Sequence, residues 1–208
     1  MSRPVKLYDL APSPNNIKVR CALAYKKIAY EKIPVDPQDR QPLVKVSGQP
    51  LSPVLLHGDT VVYDSYAITR YLDANWPGAP RLYSADRDLI KKIEEWELFC
   101  RTDAGPSISI AFGQLRAPAP DVDRLKRAND MLNRAASRTE ETLANSRFLV
   151  GDAPTAADFT VGTMLYCGAV PEKAAQASPI AAFFARHIKI QGAPKTLDWI
   201  GRVMEWDR

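Results

Sequence analysis

The segment from Val5 to Arg20 (Val-Lys-Leu-Tyr-Asp-Leu-Ala-Pro-Ser-Pro-Asn-Asn-Ile-Lys-Val-Arg) constrains the chain most. Apolar and polar residues alternate as in a strand as far as Leu10. Pro12-Ser13-Pro14 breaks that pattern, and the spacing after it predicts a helix. The hydroxyl of Ser13 and the carboxamides of Asn15 and Asn16 therefore fall where a strand hands over to a helix N-terminus. Backbone N–H groups lack intrahelical partners there, and the helix dipole presents its positive end. Such a point suits an anion or a thiolate.

The rest of the N-terminal part continues in kind. Residues 5–10 read as a strand, 15–28 as a helix and Tyr30–Val35 as a second strand. Residues 36–50 form a polar, proline-interrupted loop with room for a short helix. Ser52-Pro53 leads into Val54-Leu55-Leu56, and His57-Gly58-Asp59-Thr60 turns the chain into Val61-Val62-Tyr63, a hairpin signal. Asp64-Ser65 caps a helix over about 66–75. Strand, helix and strand in succession predict a right-handed parallel βαβ unit, with the hairpin antiparallel at the sheet end.

Trp76-Pro77-Gly78-Ala79-Pro80 interrupts this pattern, and beyond it strand signals vanish. Residues 86–112 carry apolar side chains at helical spacing (Leu89, Ile93, Trp96, Phe99, Cys100), and 121–143 form a charged amphipathic helix. Thr155 with Asp158 forms a capping box that opens a strongly apolar helix. Helices are expected over 180–190 and 195–205, separated by Gly192-Ala193-Pro194. The expected division is an α/β domain over 1–78, a linker over 79–88 and an all-helical domain over 89–208.

Several functions are disfavoured by composition. The net charge of +4 arises from Lys and Arg spread along the chain and mixed with acids, so no nucleic-acid partner is expected. Cys21, Cys100 and Cys167 are widely spaced in apolar contexts and read as buried, reduced thiols. His57 and His187 have no acid at ligand spacing, so no metal site is expected. No run approaches the roughly 20 apolar residues of a membrane span, and the N-terminus has no signal-like region. The expectation is a cytoplasmic protein with no membrane partner.

Four patterns together carry a family resemblance: Ser13-Pro14-Asn15-Asn16-Ile17-Lys18-Val19-Arg20, Ser52-Pro53, Asp64-Ser65-Tyr66-Ala67-Ile68, and Gly151-Asp152-x-Pro154-Thr155-x-Ala157-Asp158. In this order and at these separations the whole chain resembles a bacterial-type cytosolic glutathione transferase with a Ser-Pro-Asn signature. The resemblance implies a thioredoxin-like N-terminal domain that binds glutathione and an all-α C-terminal domain that supplies most of the second-substrate pocket. It also implies a homodimer, with glutathione as co-substrate and no other cofactor.

Glutathione's sulfur attacks as a thiolate, and an ordinary thiol has a pKa of about 8.5. Ser13 is one candidate donor to that sulfur, and Asn15 is the competing one, since a subset of the resembled family uses that amide. Both can instead merely cap the helix. Tyr8 is a further hydroxyl, but strand alternation points it away from Ser13. Pro53 fits a cis peptide, which would turn the backbone of Ser52 toward the cysteinyl part of glutathione; an ordinary trans proline opening a strand is the alternative. By resemblance, Asp64 and Ser65 bind the γ-glutamyl ammonium and carboxylate, while Arg40 or Gln49 meets the glycyl carboxylate. Leu51 and Ser52 depart from the family pattern, in which the first of these positions is often basic or polar and the second often Val. Ile108, Phe112 and Trp199 are candidates for the second-substrate pocket, where core packing is the competing role. The leading expectation is a transferase attacking small, partly apolar electrophiles, by conjugation or peroxide reduction. Against it stand a non-catalytic module of the same fold that binds a partner protein, and a Cys-based thiol-disulfide enzyme, which the absence of cysteine at positions 13 and 15 disfavours.

Overall fold

The computed structural model describes residues 3–207. Four strands, β1 (Val5–Asp9), β2 (Glu31–Pro34), β3 (Val54–His57) and β4 (Thr60–Tyr63), form one sheet in the order β2-β1-β3-β4. β1 and β2 are parallel, while β3 is antiparallel to both β1 and β4. The connection from β1 to β2 is α1 (Pro14–Tyr25), α2 (Gln41–Ser47) lies between β2 and β3, and α3 (Ser65–Asn75) follows β4. The short helix allowed for in the 36–50 loop is α2, which stops at Gly48, whose φ of 75° is the left-handed conformation of a helix C-cap.

The period of two along the strands sorts their side chains onto two faces. Leu7 pairs with Leu55 on one face, and both are completely buried. Asp9 shares that face and accepts a hydrogen bond from Arg20, which places α1 over it. Tyr8 and Val54 lie on the other face, where α2 contributes Leu43 and Val46 to their cluster.

This α/β unit takes in residues up to Tyr83 and also the chain's end at 206–207. Lys26, completely buried, donates to Asp73 and to the Pro80 carbonyl, and Asp73 accepts from the backbone N–H groups of Leu82 and Tyr83. Residues 80–83, expected to be linker, are thereby fastened to α3. At the other end, Arg20 grips Asp207 through two bonds of 2.6 and 2.8 Å, and Trp206 packs edge-on against Tyr25.

The second unit, 84–205, is helical: α4 (Arg87–Phe99), α5 (Gly105–Leu115), α6 (Val122–Leu143), α7 (Ala156–Leu165), α8 (Glu172–Ala177), α9 (Pro179–His187) and α10 (Pro194–Met204). Every residue of α7 is buried, and it packs against α4, α6 and α10. Such a helix is apolar all round because it has no solvent face. A Cβ at Gly162 would come within 2.9 Å of Val203, so glycine permits the close approach of α7 and α10. The capping box expected at Thr155 and Asp158 is present, and the Asp158 carboxylate also accepts from Leu149 N and the Trp199 indole.

Two departures from the expected helices have local causes. The single helix anticipated over 86–112 contains a π-helical turn at Cys100–Ala104. Pro106 has no N–H to continue the i−4 ladder, and Gly105 N instead bonds back to the Cys100 carbonyl. α8 was not anticipated, since its six residues are too few to show a period and none is buried. Among the described residues no helix is long and apolar enough to cross a membrane.

Candidate functional site

Ser13 occupies the N-cap of α1 with extended backbone (φ −65°, ψ 126°). Its backbone carbonyl accepts from Asn16 N and Ile17 N, and its N–H donates to the Leu10 carbonyl. Its side chain makes no capping bond. The backbone fixes the turn, and the hydroxyl is not spent on the cap. The Ala11–Pro12 bond leading into this turn is cis, which the sequence reading did not foresee.

Asn16 is completely buried and joins three segments. Its Oδ1 accepts from Leu10 N at 3.0 Å, at the end of β1, and its Nδ2 donates to Ser52 Oγ at 3.1 Å, in the loop before β3. Asn15, one residue earlier, is exposed, and its Oδ1 accepts from Ser65 Oγ at 3.3 Å. That bond leaves the amide N–H₂ of Asn15 as its outward donor. Two neighbouring carboxamides thus tie the start of α1 to the 52–53 loop and to the start of α3. Ser13, Asn15, Ser52 and Ser65 are brought to one place.

The Ser52–Pro53 bond is cis. Ser52 is half-buried, whereas Leu51 beside it is exposed. Asp64, the N-cap of α3, has φ 69°, a left-handed value that a non-glycine residue seldom adopts. Its Oδ1 accepts from Tyr66 N at 2.9 Å and from Ala67 N at 3.1 Å. Two of the first N–H groups of α3 are therefore met by the protein's own carboxylate. Ser65, the next residue, is buried to 5% exposure.

Gln49 does not join this group. Its carboxamide is folded into its own loop, with Nε2 donating to Ser47 Oγ and the Leu51 carbonyl and Oε1 accepting from Leu51 N at 2.6 Å. Arg40 stands at the N-cap of α2 and makes no side-chain capping bond. Tyr8 faces the α2 cluster, in agreement with strand alternation.

Comparisons with known proteins identify the family and the fold. Residues 7–80 match the family model described as glutathione S-transferase, N-terminal domain, and residues 104–205 match glutathione S-transferase, C-terminal domain. Glutathione S-transferase 3 of Zea mays is 31% identical over 172 residues, covering 74% of this chain and 74% of the relative. The chain belongs to the glutathione S-transferase family. It shares its fold with a glutathione S-transferase from Rhodospirillum rubrum F11 (TM-score 0.80, 20% identity, 96% of this chain and 87% of that one). It shares it also with a theta class glutathione S-transferase from Xanthomonas axonopodis pv. citri, solved with glutathione bound (TM-score 0.76, 22% identity, 96% and 92%).

The chain is a glutathione transferase, and the surroundings of its candidate site follow from burial. Lys18 of α1 is buried to 1% exposure, and its ammonium lies 3.2 Å from the centroid of the Tyr66 ring, a cation–π contact that braces the first turn of α3. Burial alone would lower the pKa of Arg20, but its bonds and charge pairing with Asp207 and Asp9 more than reverse this and hold it above the ordinary value. Burial also pushes the Cys21 thiol above its ordinary range and the Cys167 thiol up to about 12. All three cysteines are buried and outside any disulfide, as expected. Among the described residues no cluster of His, Cys, Asp or Glu could hold a metal ion.

The three apolar candidates of the helical unit fare differently. Ile108 is buried to 3% exposure, and Trp199 is completely enclosed with its indole donating to Asp158. Trp199 is therefore core and not pocket wall. Phe112 is half-buried and meets Phe184 edge-on at 4.7 Å.

Sequence reading missed the role of Asn16. The signal was present, since a second carboxamide in the first turn of a helix is unusual unless its side chain has a partner.

Proposed function

We propose that this transferase binds glutathione along the edge formed by the starts of α1 and α3 and the 52–53 loop, and activates its thiol for attack on a small electrophile. The observation that carries the reading is the hydroxyl of Ser13, held at a helix N-terminus and not used as a cap. The backbone of Ser52 pairs with the cysteinyl part of the ligand in strand fashion. Asp64 meets the γ-glutamyl ammonium, and Ser65 meets the γ-glutamyl carboxylate at the N-terminal end of α3. With Gln49 committed to its own loop, Arg40 is the residue proposed for the glycyl carboxylate.

The sulfur lies within reach of Ser13 Oγ or of the outward amide of Asn15. A donor at either place, with the positive end of the α1 dipole, stabilises the thiolate over the thiol. Lowering the thiol pKa by two units requires about 2.7 kcal/mol of differential stabilisation. One charge-assisted hydrogen bond of about 1.5–3 kcal/mol, with a dipole contribution of about 0.3–1 kcal/mol, reaches that figure. The thiol proton leaves to solvent, the thiolate forms the new bond to the electrophilic atom, and the leaving group departs with its electron pair. Conjugate addition and peroxide reduction draw on the same activated sulfur. The working form is a homodimer in the cytoplasm.

The test is the ultraviolet absorbance of bound thiolate as a function of pH for wild type, Ser13→Ala and Asn15→Ala. The variant lacking the true donor shows a raised pKa for bound glutathione and a rate at neutral pH lower by roughly ten- to a hundredfold, or about 1.4–2.7 kcal/mol. Part of that loss returns at high pH, where the thiol ionises unaided. An unshifted titration in both variants removes both side chains from the mechanism. Light scattering at micromolar protein tests the dimer, and the 23.1 kDa of one chain would refute it.

A further inference from the structure

Chemistry fixes which atom donates in the bonds of Asn16 and Ser52. The Leu10 N–H can only donate, so the end of the Asn16 carboxamide 3.0 Å from it is the oxygen. The other end is then the amide N–H₂, and it donates to Ser52 Oγ at 3.1 Å. A serine hydroxyl accepts as well as donates, and it carries one proton. With its oxygen accepting from Asn16, Ser52 keeps its own O–H to give elsewhere. Among the described residues no protein group takes that hydrogen bond.

The hydroxyl is also held in place. Its partner Asn16 is completely buried, and Leu51 just before it is bonded at both backbone groups by the Gln49 carboxamide. The bond to Asn16 brings the Ser52 side chain to the first turn of α1, the turn that carries Asn15 and is capped by Ser13. Ser52 lies outside the strands, and among the described residues neither its N–H nor its carbonyl enters a turn or loop bond. Its backbone is thus open to a ligand that pairs in strand fashion. Side chains directly opposite each other in such a pairing share a face, with Cβ atoms about 4.5–5.5 Å apart. That spacing lets a hydroxyl on one residue reach a sulfur on the other.

We propose that the Ser52 hydroxyl is a further catalytic donor of this transferase, giving its hydrogen bond to the sulfur of bound glutathione. The proposal rests on the reading of the glutathione site and adds to Ser13 or Asn15, since a thiolate has lone pairs for more than one donor. The bond that Ser52 accepts from Asn16 polarises its O–H, so the two side chains form a chain of donors that ends on the sulfur. Both are set before the ligand arrives, and little reorganisation accompanies ionisation of the thiol. Ser52 keeps its proton throughout, and the thiol proton leaves to solvent. An alanine at this position would keep the backbone pairing and lose the donor.

The full chain and its Ser52→Ala and Ser52→Thr variants can be titrated against pH with glutathione bound, following thiolate absorbance, and with S-methylglutathione by calorimetry. A thioether does not ionise and accepts only weakly, so S-methylglutathione reports the shape of the site without the proposed bond. Ser52→Ala should raise the pKa of bound glutathione by about 1, a tenfold change in its ionisation. S-methylglutathione affinity should stay within about twofold of wild type. The rate at a pH below the bound pKa should fall by about tenfold and recover at high pH. Ser52→Thr keeps the hydroxyl and should titrate like wild type. A purely structural role for Ser52 would weaken both ligands alike and leave the bound thiol pKa where it was, and that pattern would overturn the proposal. An unshifted curve in Ser52→Ala beside a raised one in Ser13→Ala or Asn15→Ala would refute this donor and leave the reading of the glutathione site standing. A wild type that binds glutathione with an ordinary thiol pKa would refute both.

Discussion

Replacing Asn16 with alanine should both loosen the N-terminal unit and weaken its hold on glutathione. The side chain is completely buried and makes two bonds, from Leu10 N at 3.0 Å and to Ser52 Oγ at 3.1 Å. Asn16→Ala leaves the Leu10 N–H without its acceptor, at a cost of about 1–3 kcal/mol, and forfeits about 1 kcal/mol for the bond to Ser52. The sum is roughly 2–4 kcal/mol, equivalent to a fall of roughly 5–15 °C in Tm for a chain of this size. Because the lost bond to Ser52 tethers the 52–53 loop to α1, glutathione affinity should fall with it, by about tenfold. Asn16→Asp separates the two bonds. It keeps an acceptor for Leu10 N but loses the donor to Ser52 and buries a charge. Burial raises that carboxyl's folded-state pKa, so the variant should lose stability as pH rises through the raised value and recover as pH falls and the carboxyl gains a proton to donate. Urea unfolding across pH and calorimetry with glutathione provide the readouts. An Asn16→Ala variant within about 0.5 kcal/mol of wild type, a surface-like effect, with unchanged glutathione affinity would refute the reasoning.

Three further outcomes are expected. Arg20→Met strands Asp9, which is 3% exposed, and should cost about 3–5 kcal/mol, tempered by Lys32 at 3.3 Å from Asp9; adding Asp9→Leu should restore much of the loss in denaturant unfolding. Asp64→Gly removes the carboxylate but suits the φ of 69°, so urea stability should change little while calorimetry shows glutathione affinity falling by about 1.5–3 kcal/mol; equal affinity would make Asp64 a cap alone. Burial would raise the Glu140 pKa, but bonds from Thr196 N, Lys195 N and Thr196 Oγ1 hold it below the ordinary value. A folded-state pKa lowered in this way gives stability that is present above the unfolded value and lost as pH falls through the folded one. The stability gap between wild type and Glu140→Gln should therefore close below the ordinary carboxylate range, and a gap independent of pH would count against it.

Local chemistry made much of this protein legible. Pro12, Ser13 and Pro14 end one element and begin another because proline lacks a donor and a serine N-cap suits a helix start. Alternation through Leu10 assigned Tyr8 and Leu7 to opposite faces, and the hairpin at Gly58 followed from turn chemistry. The capping box at Thr155 and Asp158 was readable because both partners lie within one turn. Element ends were less certain, and α8 showed no signal because a short exposed helix leaves no apolar period. Ser13, Asn15, Ser52 and Ser65 could be named from local patterns, but not their connections.

Those connections belong to tertiary structure alone, because each partner lies far along the chain. Asn16 reaches Ser52 across 36 positions, and Ser65 reaches Asn15 across 50. Gln49 looked as available as Arg40 until its loop closed on it. Trp199 looked like any large apolar residue until the buried Asp158 claimed its indole. Ala193, the N-cap of α10, has no capping side chain, and Thr196 N in the first turn donates instead to Glu140, 56 residues before Thr196. The sequence by itself determined the type and order of most elements, since those choices depend on residues within a turn or two of one another. Only the fold decided which polar groups met, since a hydrogen bond across dozens of residues leaves no periodic trace in the chain.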